Sequence, residues 1–83
     1  MKARKILAKA LSSPANLRFA EMQGLVEAFG FRLLRVSGSH HIYGRGGMAE
    51  QINLQEVGGN AKPYQVRQFL RLIERYNLQI EES

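Results

Sequence analysis

The apolar residues change period partway along this chain and change back before its end, and that double switch limits the fold more than any other feature. Met22, Leu25, Val26 and Phe29 recur at i, i+3, i+4 and i+7, the stripe of an amphipathic helix. Gly30 follows where a left-handed residue would close such a helix. From Phe31 to Val57 the pattern becomes that of strands. Phe31 to Val36 and His40 to Tyr43 are rich in β-formers, and Ser37-Gly38-Ser39 and Gly44 to Gly47 stand where tight turns belong. A third strand is expected over about Glu50 to Gln55, with Ile52 and Leu54 facing the core by alternation. Gly58-Gly59-Asn60 reads as a loop, and Pro63 suits the first residue of a helix. Val66, Phe69, Leu70 and Ile73 then restore the helical spacing. At the other end, Ile6, Leu7, Ala10 and Leu11 lie among Lys2, Arg4, Lys5 and Lys9, a short basic amphipathic helix stopped by Ser12, Ser13 and Pro14. The reading is a single domain over residues 1–83, with 1–13 an additional N-terminal helix and 79–83 a disordered acidic tail. Its class is α+β: a three-stranded antiparallel sheet packed on helices on one face, in the order α-α-β-β-β-α.

Eighty-three residues bury only about 60% of the surface that the unfolded chain exposes. Any function is therefore expected on a surface or in a shallow groove. The absence of cysteine excludes a disulfide, a thiolate zinc site and a cysteine nucleophile. Every acid is a glutamate: 7 of them oppose 12 Lys+Arg, a net charge of +5. Such a balance on so small a body favours a polyanion or an acidic protein as partner. Apolar runs of only a few residues argue against a membrane span, and the basic start is not followed by the long apolar stretch of a signal peptide, so the expected location is the cytoplasm.

His40 and His41 are the chain's two histidines. On a strand they point to opposite faces, so they do not act as one pair. The alternation puts His40 with Ile42 and His41 with Tyr43, without deciding which face is buried. A histidine titrates near neutrality and suits general acid or base work on a ribose hydroxyl or a leaving oxygen; its bland role is a structural one. No third ligand for a metal is evident, and none is expected. Arg32, Arg35 and Arg45 lie in the first two strands without an acid among them, and Arg67, Arg71 and Arg75 form an i, i+4, i+8 stripe. These suit phosphates, although Glu74 beside the stripe fits a solvated helix face equally well. Gly44-Arg45-Gly46-Gly47 lacks the Lys-Ser/Thr ending of a nucleotide loop and reads as a hairpin turn. Gly58 to Pro63 leads into a helix N-terminus, where Lys62 could add charge beside an anion, or it is simply a turn and cap. Ser39 is expected to hold its turn rather than act as a nucleophile, and Tyr43 could stack on a base or fill the core.

Gly30-Phe31, then Gly38-Ser39-His40-His41-Ile42-Tyr43, then Ala61-Lys62-Pro63-Tyr64 with Val66-Arg67, resemble the HicA family of toxins over about residues 18–78. The helix ahead of them resembles that of a longer subgroup. The resemblance implies a double-stranded-RNA-binding-like fold and a ribosome-independent, metal-independent endoribonuclease that cleaves mRNA without a cofactor. It also implies a HicB-like antitoxin as partner, with the toxin a monomer when free and a hetero-oligomer when neutralised. In that family the histidine directly after Gly-Ser or Gly-Gly is catalytic, which falls on His40; Gly38 and Ser39 present it, and His41 supports it. Arg35, Arg45, Lys62, Arg67 and Arg71 are candidates for RNA contacts from their charge alone. Where many shorter members carry Pro and often His after the third strand, this chain has Gln55-Glu56-Val57-Gly58. Acid and base roles therefore cannot both come from well-separated histidines. The alternative reading is a non-catalytic RNA-binding module of the same fold, and a third is an adaptor whose basic face docks an acidic protein.

Overall fold

The computed structural model describes residues 2–81 and has three α-helices beside a four-stranded antiparallel sheet. Helix α1 spans Lys2–Ser12, α2 Phe19–Ala28 and α3 Pro63–Tyr76, with a single 3₁₀ turn at Pro14–Asn16. The strands are β1 (Arg32–Ser37), β2 (His40–Gly44), β3 (Ile52–Val57) and β4 (Asn60–Ala61), and they lie side by side in chain order.

The helical stripes form the core. Met22, Leu25, Val26 and Phe29 of the α2 segment and Val66 and Phe69 of α3 are buried. The Phe69 ring meets Phe29 and Phe31 edge-on, with centroids 5.5 and 5.7 Å apart, an arrangement that adds about 1 kcal/mol per pair to simple burial. Gly30 takes φ +91°, the left-handed stop that its position demanded. Its counterpart after α3 is Asn77, at φ 50°. The segment that follows does not fray: Leu78 is buried, Ile80 packs against the core, and the Glu81 N–H donates to Ala28 O at 2.7 Å. The tail expected over residues 79–83 is thus held as far as Glu81, because it carries Leu78 and Ile80 as apolar anchors; Glu82 and Ser83 lie outside the described residues, as does Met1 of the N-terminal helix.

Two expectations about the sheet are corrected. Gly58-Gly59 is no open loop: with φ of +59° and +82° it makes a two-residue turn that only glycine-like residues allow at both positions. It returns the chain as β4, where Asn60 pairs with Val57 and Ala61 with Glu56. The sheet therefore has four strands, and β3 runs two residues later than expected, Ile52–Val57 rather than Glu50 to Gln55, because this hairpin extends its far end. Strand β1 is rich in apolar residues, yet none of its six residues is buried. The helices pack over the rest of the sheet and leave this edge strand overhanging. An extra residue at Leu34 bulges the β1–β2 ladder, a common guard of a free edge.

The β4 hairpin also ties the N-terminal half to the sheet. Ala61 N–H donates to Leu17 O and Phe19 N–H to Gly59 O, each at 3.0 Å. Alpha-helix α1 rests on α2, on the 3₁₀ turn and on α3, and buries Ala3 and Ala10 there; Leu11, in its apolar pattern, remains 65% exposed.

Candidate functional site on the open face of the sheet

The strand register decides what the alternation left open. His41 pairs with Leu54, and Tyr43 with Ile52. Leu54, Tyr43 and Ile52 are buried, so this row faces the helices. His40, opposite Gln55, and Ile42, opposite Asn53, belong to the other face, which no helix covers. Ser37 and Arg35 of β1 extend the same two rows.

His40 is presented there by the turn the sequence marked. Gly38 and Ser39 are its two central residues, Ser37 and His40 close it as a pair, and Gly38 takes φ +61°. Nothing lies within 4 Å of a β-carbon added at Gly38, so the glycine is there for its dihedral and not for space. The His40 side chain is half-buried, and its Nδ1 lies 3.1 Å from Oδ1 of Asn53. An amide oxygen only accepts, so this contact suits the tautomer that carries its proton on Nδ1 and leaves the lone pair on Nε2. That Nε2 has no hydrogen-bond partner among the described residues.

His41 has a different environment. Its ring stands edge-on to Phe19 of α2 at 4.9 Å, and its Nδ1 lies 3.3 Å from the Ser39 carbonyl. It therefore braces the turn from the helix side. Tyr43 lies in the core, its hydroxyl accepting a hydrogen bond from Gln23 Nε2 at 3.1 Å. Burial pushes the phenol's pKa up, with the Gln23 bond a partial offset.

The cations expected to hold phosphates are not gathered around His40. Arg35 shares its face, one row away, with the guanidinium 3.5 Å from Gln51 Oε1. Arg45 lies beyond the far end of β2, against Glu81 at 3.7 Å and the Met48 sulfur. Lys62 directly follows β4, adjoining the row of Ser37, His40 and Gln55, and its ammonium is 5.8 Å from the centroid of the Tyr64 ring. Arg67 and Arg71 are exposed on the side of α3 turned away from buried Val66 and Phe69, and hence from the sheet. Two features escaped the sequence reading. Asn53 was legible only as an outward position between Ile52 and Leu54, and its partnership with His40 depends on a register that sequence does not specify. The other is the groove that the basic N-terminal helix forms with α2, since no sequence pattern shows how two helices pack.

Among the described residues, no group of three or more His, Cys, Asp or Glu side chains is arranged to hold a metal ion, and no helix is long and apolar enough to cross a membrane. Comparison of the chain with protein-family models, with curated proteins and with solved structures finds no match.

Proposed function

We propose that this chain is an endoribonuclease toxin of the HicA type, cleaving mRNA with His40 as its general base. The observation that carries the reading is the His40–Asn53 contact on the uncovered face: it engages Nδ1 and leaves Nε2 for a substrate. In the proposed reaction Nε2 removes the proton of a ribose 2′-hydroxyl. The 2′-oxygen attacks the adjacent phosphorus, the bond to the 5′-oxygen breaks, and that oxygen takes a proton from water. The products are a 2′,3′-cyclic phosphate and a 5′-hydroxyl. Arg35 on the same face, and Lys62 beside the His40 row, supply positive charge for the phosphates. Sequence resemblance supplies the remainder of the reading, including a cytoplasmic site of action and neutralisation by a HicB-like antitoxin.

The test is RNA cleavage by the purified chain and by a folded His40→Ala variant, with analysis of the newly formed ends. Cyclic-phosphate ends from the parent and a loss on the order of 10²–10⁴-fold in the variant support the mechanism. Equal RNA affinity of both proteins with no cleavage by either replaces it with the non-catalytic binding module.

A further inference from the structure

The helical layer carries a second surface, a groove of about 480 Å³ between α1 and α2. Lys2, Lys5 and Lys9 line it on α1 and Glu21 on α2, with Ile6, Ala20 and Gly24 as its apolar floor. Lys9 is engaged by Glu21 at 2.9 Å, whereas Lys2 and Lys5 have no ion-pair partner among the described residues. The floor is bare for no internal reason. A glycine inside a helix costs about 0.5–1 kcal/mol relative to alanine, yet a β-carbon added at Gly24 meets nothing within 4 Å. No packing within the chain requires that glycine.

We propose that this groove docks an acidic amphipathic helix of another protein, its apolar face seated on Ala20 and Gly24 and its carboxylates against Lys2 and Lys5. The spacing fits: Lys2, Lys5 and Lys9 fall at i, i+3 and i+7, spread over about 10 Å of helix axis at 1.5 Å per residue, the repeat at which a facing helix presents its own side chains. Small residues let a second helix backbone approach closely, and an apolar floor with a charged bank is the usual helix-in-groove arrangement. RNA fits less well, because none of the lining residues is aromatic to stack a base and the floor is apolar. Alpha-helix α1 packs against α2 and α3, away from the face that bears His40, so an occupant here leaves that face open. The proposal is independent of the ribonuclease reading.

The experiment uses the full chain and a fluorescent synthetic helical peptide of about four turns, with Leu at i, i+4 and i+7 and Glu on both flanks. Its controls are a scrambled peptide of equal composition and a single-stranded RNA oligonucleotide. The expected result is saturable peptide binding, weakened at least 10-fold by Lys2→Glu/Lys5→Glu and, separately, by Gly24→Leu, with both variants shown to be folded by thermal denaturation. No binding of the designed peptide, equal binding of the scrambled one, or undiminished binding to folded Gly24→Leu overturns the proposal. So does displacement of the peptide by the RNA oligonucleotide in a manner that depends on Lys2 and Lys5, which assigns the groove to nucleic acid.

Discussion

His40 is bonded not to Gln55, the residue directly opposite it on β3, but to Asn53, one step along the same face, with Nδ1 and Oδ1 3.1 Å apart. In the proposed reaction Asn53 is a positioning residue, acting through the ring it contacts. Asn53→Ala is expected to lower the rate of RNA cleavage about 10-fold with little change in KM. Asn53→Asp is expected to move the rising limb of the pH–rate profile to higher pH, because a carboxylate favours the protonated imidazole. Steady-state kinetics across pH check both; an unmoved profile in the aspartate variant removes Asn53 from the site.

The adjacent histidines should separate stability from activity. His41→Ala loses the edge contact with Phe19, and about 1 kcal/mol of stability is expected to go with it. Cleavage per folded molecule should stay within a few-fold of the parent. His40→Ala is expected to show the reverse. Urea unfolding and cleavage assays on the same samples decide, and a His41→Ala protein that is stable but inactive contradicts the assignment.

Glu21 joins two elements: its Oε1 lies 2.9 Å from both Lys9 Nζ of α1 and the backbone N–H of Arg18 that opens α2. The Lys9 hydrogen bond, and after it the Arg18 bond, hold the carboxyl's pKa below its ordinary 4.5. With the folded value the lower one, this stabilisation is complete above the unfolded carboxylate's pKa and disappears as pH falls through the folded value. Glu21→Gln keeps an oxygen for the Arg18 N–H but loses the charge. It should reduce stability at pH 7 by about 0.5 kcal/mol and flatten the decline below pH 4.5, as measured by denaturant unfolding over a pH series.

Gln65 is the buried polar residue of the core, and its Oε1 accepts the Gln55 backbone N–H at 2.8 Å. That contact satisfies the β3 edge just short of where β4 begins to pair. Gln65→Leu leaves the N–H unpaired and is expected to cost about 1–3 kcal/mol. Gln65→Glu retains an acceptor oxygen at the same position, but burial penalises its charged form, so it should be milder at low pH than near neutral pH. Equal midpoints for the parent and the leucine variant count against the role.

The helices α2 and α3 were legible because their stripes extend over about two turns and are bounded by residues with special dihedrals, Gly30 after the first and Pro63 at the start of the second. Strand β4 was not, since two residues are too few to show an alternation, and the paired positive φ of Gly58 and Gly59 is visible only once the chain is folded. The exposure of Leu33, Leu34 and Val36 was not legible for a different reason. Apolar residue type reports what a strand could bury, whereas burial depends on what lies above it, and nothing covers β1. At the site, the Gly38-Ser39 turn followed from local chemistry, whereas the outward direction of His40 was settled only by the β2–β3 register. Asn53 is 13 residues away from its partner and became readable only through the β2–β3 register.

The bare β1 strand also bears on how the molecule opens. A strand with no buried residue, held by one ladder interrupted at Leu34, can detach at a small fraction of the free energy of global unfolding. Its amide protons should exchange early, while those of β3 wait for cooperative loss of the core. Because the His40–Asn53 contact belongs to β2 and β3, the geometry on which the proposed chemistry rests outlasts the departure of the strand beside it.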